Sequence, residues 1–287
     1  MRKSLLIILF TALVVYANAQ DGINFKIKYL PNHTYQIAGN TTMDFMVDLS
    51  ANKDIAAKLK AKGIEQPINM HVQFDNTGNI STGEVSAGVF LYTMSYDPPA
   101  VNVTINGKAI PIPLPAKTTK GGSMYGHVSS DGTLKMDSLK GSKLNDSTTA
   151  MVQKMTSTIL KQIKFPDHPL KPGDTFTQDI PFDIPAAVGK NMAIDIKVTY
   201  KLANIADNQA FFDLVQDLNM NLQVKKIAVT LTGTGTGKLI YDIKNQYPVS
   251  LNNNMDMKIN AKLDTLNVNA IAKISSNQTY VIGKTTH

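Results

Sequence analysis

The run VTLTGTGTGKLIYD, Val229 to Asp242, sets three glycines at alternate positions ahead of a lysine. Glycine-rich backbone followed by lysine suggests phosphate binding, in which bare amides cradle the anion and an ammonium neutralises it. The spacing does not sustain that reading. A Walker A loop requires glycine five positions before the glycine of GK, and Ser or Thr after the lysine; Thr232 and Leu239 stand there instead. The dinucleotide pattern G-x-G-x-x-G fails as well, since Gly233 and Gly235 require a third glycine where Lys238 sits. No helical pattern follows to supply a cluster of free amides. Strand periodicity fits better. Thr230, Thr232, Thr234, Thr236 and Lys238 fall on one face, and Leu231, Gly233, Gly235, Gly237, Leu239 and Tyr241 on the other. A glycine row marks a sharp bend of the sheet or a close approach by a neighbour, whether protein or an apolar ligand. These six residues form the candidate apolar-ligand or close-packing face.

Other reactive constellations are weaker. The histidines are His33, His71, His127, His168 and His287; none is paired at metal-ligand spacing and none lies in HExxH. Ser50 to Lys53 matches S-x-x-K, but no SDN or KTG partner exists. Gly121 to Tyr125 misses the nucleophile elbow because Tyr125 replaces its last glycine. His127, Ser129, Ser130 and Asp131 are triad residue types placed in sequence, which is not triad geometry. The only glutamates are Glu65 and Glu84, and most aspartates sit in turn-like positions. No catalytic residue, metal site or cofactor is assigned, and the chain is read as non-enzymatic. Methionine is more suggestive. Met43, Met46, Met70, Met94, Met192, Met220, Met255 and Met257 all sit in strand-like runs, where flexible thioethers line an adaptable apolar cavity or fill an ordinary core.

The elements that position these residues are mostly strands. Thr34–Asp48, Asn69–Phe74, Val85–Tyr96, Thr175–Phe182, Ala193–Leu202, Ala210–Leu222 and a long series to Val281 carry the period-two signal. Asn106-Gly107 suits a type I′ hairpin turn. Ile110–Pro115 has proline at every second place and reads as an edge or a solvated extended segment. Helices are expected over Asp54–Lys62, stopped by Gly63, and over Asp146–Lys164, whose Met151, Met155, Ile159 and Ile163 form a stripe that packs on the sheet. The turn-rich FPDHPLKPGDTF, Phe165–Phe176, marks a boundary between two halves, 20–164 and 165–287. Each half holds a strand, a polar turn and a longer strand, a pattern that duplication or any meander produces.

The start of the chain reads as a secretory leader over 1–19. Arg2 and Lys3 precede the apolar run Leu5–Tyr16, and Ala17-Asn18-Ala19 offers a cleavage site. Without the leader, 27 basic residues face 22 acidic ones, and no arginine remains. Arginine supplies the bidentate fork for phosphates and base edges, so its absence, with no tryptophan and dispersed lysines, argues against nucleic acid. The absence of cysteine removes thiol nucleophiles, thiolate metal sites and disulfides, leaving stability to core packing.

Asn32–Tyr35, Phe165–Asp174 (FP-x-x-P-x-x-x-GD), Tyr200–Leu202 and Gly233–Asp242 occur in the order of an uncharacterised family of exported bacterial proteins, which this chain resembles. The resemblance spans most of the expected mature chain and brings no catalytic residues; the tryptophan often found after the GD pair is replaced, with Phe176 nearby. In layout the chain is also similar to LolA-like lipoprotein carriers, which implies a curved half-barrel around an apolar cavity. The expected fold is mainly β, a curved antiparallel sheet or half-barrel with a few packed helices. The expected function is a periplasmic or secreted, non-catalytic protein that binds a hydrophobic small molecule or lipid. A cell-envelope interaction module, with partner strands adding at Ile110–Pro115, and a hydrolase using aspartates or His127 stay open as alternatives. A transmembrane barrel is disfavoured by the lack of aromatic girdles.

Overall fold

Alternation of polar and apolar residues runs through nearly every element. The computed structural model describes residues 22–49, 53–97, 100–111, 123–129, 132, 134–140, 163–185, 191–224, 227–263 and 266–285. The strands are β1 (His33–Asp48), β2 (Ile68–Ser86), β3 (Val89–Tyr96), β4 (Ala100–Ile105), β5 (Lys108–Ala109), β6 (Ser123–Val128) and β7 (Leu134–Lys140). After a crossing come β8 (Thr175–Pro185), β9 (Asn191–Ala206), β10 (Gln209–Val224), β11 (Ile227–Asp242), β12 (Tyr247–Leu263) and β13 (Leu266–Lys284). The protein is mainly β, as its patterning predicts.

All thirteen strands join one antiparallel sheet, ordered β7-β6-β3-β2-β1-β13-β12-β11-β10-β9-β8, with β4 pairing to β2 and β5 to β4. The sheet does not close: β7 and β8 are its two ends. β2 accommodates two partners because it is long, with β4 along Met70–Asp75 and β3 along Gly78–Ser86. β1 lies between β2 and β13, so the sequence halves meet along a ladder from His33↔Lys284 to Asp48↔Asn269. Asn106-Gly107 forms the expected hairpin turn, with φ of 48° and 75°. Ala87-Gly88 (53° and 78°) and Asp207-Asn208 (49° and 62°) turn the same way, since two positive φ angles match the right-handed twist of the flanking strands.

One helix, α1 (Lys53–Ala61), is present among the described residues, close to its expected span. Asp54 opens it and Lys58 and Lys60 close it, complementing the helix dipole. The Gly63 and Ile64 amides bond back to Lys60 and Leu59 carbonyls, with Gly63 at φ 72°. No residue of α1 is buried. The expected Asp146–Lys164 helix lies outside the described residues except Ile163 and Lys164, which are not helical. Ile110 extends β5 by bonding its amide to the Val103 carbonyl, and residues 112–115 lie outside the described set.

The core gathers at one end of the sheet, where two segments without regular structure lie across one face, called inner here. Residues 22–30 and 163–172 join through reciprocal 2.9 Å bonds between Ile23 and Leu170. Phe25, Phe165, Phe176, Tyr200, Phe212 and Tyr241 interlock beneath them, with Phe176 stacked on Tyr200 at 4.7 Å and Phe25 edge-on to Tyr241 at 5.3 Å. A second cluster unites Tyr29, Tyr35, Ile80, Tyr92, Met124, Val128 and Tyr247. Tyrosine hydroxyls fasten the cover: Tyr241 donates to the Lys26 carbonyl, Leu30 N–H donates to Tyr35 Oη at 2.6 Å, and the Tyr29 and Tyr247 hydroxyls share a 3.1 Å bond. The four resemblance motifs converge here. Phe165, Leu170, Tyr200, Leu202, Tyr35 and Tyr241 form this end, and Gly173 (φ 101°) with Asp174 makes its turn, bonding to Leu202.

Burial pushes the Tyr200, Tyr241 and Tyr280 hydroxyls up to about 12, and it also raises Tyr247 well above the usual phenol range, with Tyr29 adding to the effect. The folded state therefore holds protons that the unfolded chain releases near pH 10. The tyrosine contribution to stability is complete below pH 10 and is lost as pH rises toward 12. Urea unfolding followed from pH 8 to 12 should show a midpoint that holds and then falls, with the fall shallower in Tyr280→Phe. A midpoint unchanged to pH 12 would contradict this account.

Candidate functional site

β11 has the predicted two faces. Thr230, Thr232, Thr234, Thr236 and Lys238 are exposed on the outer side, while Leu231, Gly235, Leu239 and Tyr241 are buried on the inner side and Gly233 and Gly237 are half-buried there. Leu239 and Tyr241 belong to the covered end, and Leu231 packs with Leu218 at the other end. The glycines lie between. A Cβ on Gly233 would stand 2.9 Å from Met257 Cγ, and one on Gly235 2.7 Å from Gln216 Oε1. A Cβ on Gly237 would overlap the Asn252 carbonyl and the Asn253 side chain. Neighbouring strands thus fill the space above the glycines: Gln216 leans in from β10, and Asn253 and Met257 from β12.

That space permits a bond across a whole strand. Gln216 Nε2 donates to Asn253 Oδ1 at 3.2 Å, spanning β11 over its bare backbone. Gln216 is only 9% exposed and sits in an otherwise apolar inner run, Ala210, Phe212, Leu214, Leu218. The belt continues across the sheet. Asn253 is in register with Ser276, which shares a 3.1 Å bond with Thr41, and beside this row Gln278 is in register with Gly39, over which Asn76 lies.

Beyond the belt the inner face turns apolar. Met43, Phe45 and Val47 on β1, Met70 and Val72 on β2, Val103 and Ile105 on β4, Leu218 and Met220 on β10, Met255, Met257 and Ile259 on β12, and Ile274 on β13 share this face by register. Ala270 and Ala272 form a small-residue floor between them. Met257 faces Gly233 on one side and Ala272 on the other, so its thioether lies among small neighbours. Most of these side chains are half-buried, in contrast to the closed core at the covered end. Met255 to Ala261 spans about 20 Å of strand at 3.3 Å per residue. From the Tyr35–Ile282 row to the Val47–Ala270 row, the inner positions of β1, β10, β11, β12 and β13 include no Asp, Glu, Lys or His. Of the other methionines, Met94 joins the covered end, and Met46 points outward and is 41% exposed.

The outer face carries the charged side chains of the central strands, with scattered exposed apolar ones such as Met46, Val215 and Ile271. A shallow trough of about 540 Å³ crosses five strands, lined by Thr42, Asp44, Asp217, Thr234, Asp256 and Lys273 among others. Its charges alternate: Lys273 is in register with Asp44 on β1 and Asp256 on β12. Asp44 also pairs with His71 Nδ1 at 2.7 Å, on exposed side chains. His127 bonds Asp137 of β7 at 3.0 Å; Ser130 and Asp131 lie outside the described residues. The His33 and His168 rings hydrogen-bond the Pro31 and Pro169 carbonyls. Among the described residues, neither Asp–His ring bonds a hydroxyl, and no three His, Cys, Asp or Glu groups converge on a metal position. Opposite charges facing each other across strands stabilise an exposed sheet modestly.

The belt is the feature that motif reading overlooked. Its signal is a lone glutamine at an inward position of a strand whose other inward residues are apolar. The Asp44–His71 and His127–Asp137 pairs carry no such signal, because they depend on strand register.

Gly237→Val should destabilise the protein by about 2–4 kcal/mol, since the added carbons meet backbone as well as a side chain. Thr236→Val, on the exposed face of the same strand, should change stability by under ~0.5 kcal/mol. Paired urea titrations check this. Equal effects at the two positions would show that the glycine face is not closely packed.

No family model matches the chain, and no curated protein matches it. Solved structures align with the chain at low identity. A lipovitellin structure, described as "Lipid-protein interactions in lipovitellin", superposes at a TM-score of 0.50 with 7% identity, over 91% of this chain and 26% of that one. OccK5 (OpdH) of Pseudomonas aeruginosa gives a TM-score of 0.30 at 8% identity, over 86% of this chain and 98% of its own. The chain therefore spans about a quarter of the lipovitellin chain, and what the two share is a fold.

Proposed function

We propose that this protein is an exported, non-catalytic binding or carrier-like protein that holds a hydrophobic small molecule or lipid on the apolar half of its inner face. The observation that carries the proposal is the charge-free, methionine-bearing expanse beyond the belt, whose large side chains are only half-buried. A sheet built only for stability would close over such side chains, as this one does at its tyrosine end. Methionine suits a varied apolar guest because its unbranched chain has several rotatable bonds and its sulfur is polarisable. The fold likeness to lipovitellin, whose structure concerns lipid–protein interactions, agrees with this reading. Export rests on the basic and apolar residues of 1–19, with the periplasm or the exterior as destination.

The protein should be purified from its native host without detergent, then examined by native mass spectrometry and organic extraction. A reproducible apolar molecule is expected. It should be lost from Met257→Glu, which places a carboxylate on the expanse, and retained by Lys258→Glu, whose side chain faces outward on the same strand. Equal retention by both variants would rule out this face, and a protein reproducibly free of apolar molecules that also takes up none in vitro would rule out the function.

A further inference from the structure

The proposed ligand site has a polar border of unusual character. The belt formed by Gln216, Asn253, Thr41, Ser276, Gln278 and Asn76 consists only of amides and hydroxyls. It borders the methionine-bearing expanse, because Met255, Ile274 and Met43 continue the cross-strand row of Gln216 next to the Asn253–Ser276–Thr41 row. An acyl or similar chain lying on that expanse would therefore bring its polar end to uncharged donors and acceptors. Charge is kept to the opposite face, where Asp44, Asp217, Asp256 and Lys273 lie.

We infer that the ligand is an uncharged amphiphile, its hydroxyl, ester or amide head hydrogen-bonded by the Gln216–Asn253 belt while its chain lies on the methionines. This rests on the binding function proposed above and narrows it to a ligand class. Complementarity of charge decides the class. An anionic or cationic head at the belt would leave water without a counter-charge, at a cost that a hydrogen bond to an amide only partly offsets. A neutral head exchanges its water partners for the amides and hydroxyls, which can both donate and accept. The glycines contribute because Gly235 and Gly237 leave room for the Gln216 and Asn253 amides to lie over β11 and meet at the border of the expanse.

The test uses the full mature protein after organic extraction and refolding, with N-phenylnaphthylamine as an uncharged fluorescent probe. Three displacers share a twelve-carbon chain: monolaurin (neutral), laurate (anionic) and dodecyltrimethylammonium (cationic). Monolaurin is expected to displace the probe at concentrations at least about tenfold lower than either ion. The double variant Gln216→Leu with Asn253→Leu should lose about fivefold in monolaurin affinity while laurate and dodecyltrimethylammonium are little affected. Probe binding with either ion equal to or better than monolaurin overturns the inference and leaves the binding function standing. A folded double variant that keeps its full monolaurin affinity does the same. No uptake of probe or of any displacer overturns the binding function, and the inference with it. If the double variant does not fold, the comparison of the three displacers on the unmodified protein decides the question.

Discussion

A β-strand must send successive side chains to opposite faces, and in this protein that constraint sorts charge. On β11 the threonines and Lys238 go outward while leucine, glycine and tyrosine go inward. On β12 the outward positions are Asn252, Asn254, Asp256, Lys258, Asn260 and Lys262, and the inward ones include Met255, Met257 and Ile259. Because the ladders from β1 through β13 and β12 to β11 hold one register over most of their length, the sorting on one strand extends across the centre of the sheet. A one-residue slip at any ladder would place lysines and aspartates among the methionines, so the inner face also fixes the register.

One continuous face is used in two ways. At one end aromatic rings and tyrosine hydroxyls seal it beneath residues 22–30 and 163–172, with Phe165, Leu170, Tyr200 and Tyr241 in the sealed cluster. At the other end the same alternation leaves methionines and small residues half-buried. The amide–hydroxyl belt borders this second region. Gln216 and Asn253 meet because the intervening strand has glycine there, so a backbone choice on β11 decides which side chains on β10 and β12 can touch.

Most of the architecture was legible in the residues. The strand periodicity, the Asn106-Gly107 turn, the helix near Asp54 and the faces of β11 all depend on local pattern, and local pattern is what a sequence displays. The candidate face was legible only in part. Its glycines and methionines could be listed, but their neighbours could not, since Gln216 reaches Asn253 through two ladders whose register is a property of the assembled sheet. The same holds for Asp44 with His71, which belong to different strands. Met46 and Met94 show the limit of counting methionines: one points outward and the other lies in the sealed end.

The pairing of β1 with β13 bears on how the chain acquires its structure. His33 lies beside Lys284, so β1 has to wait for β13. During synthesis β1 can pair with β2, but its other edge has no native partner until nearly the whole chain exists. Topologies dominated by such distant pairings fold slowly and expose strand edges while they do. A chain of this kind gains little from folding as it is made and much from being held extended until it is complete. The constraint that gives the sheet a seamless centre thus also sets the time at which that centre can form.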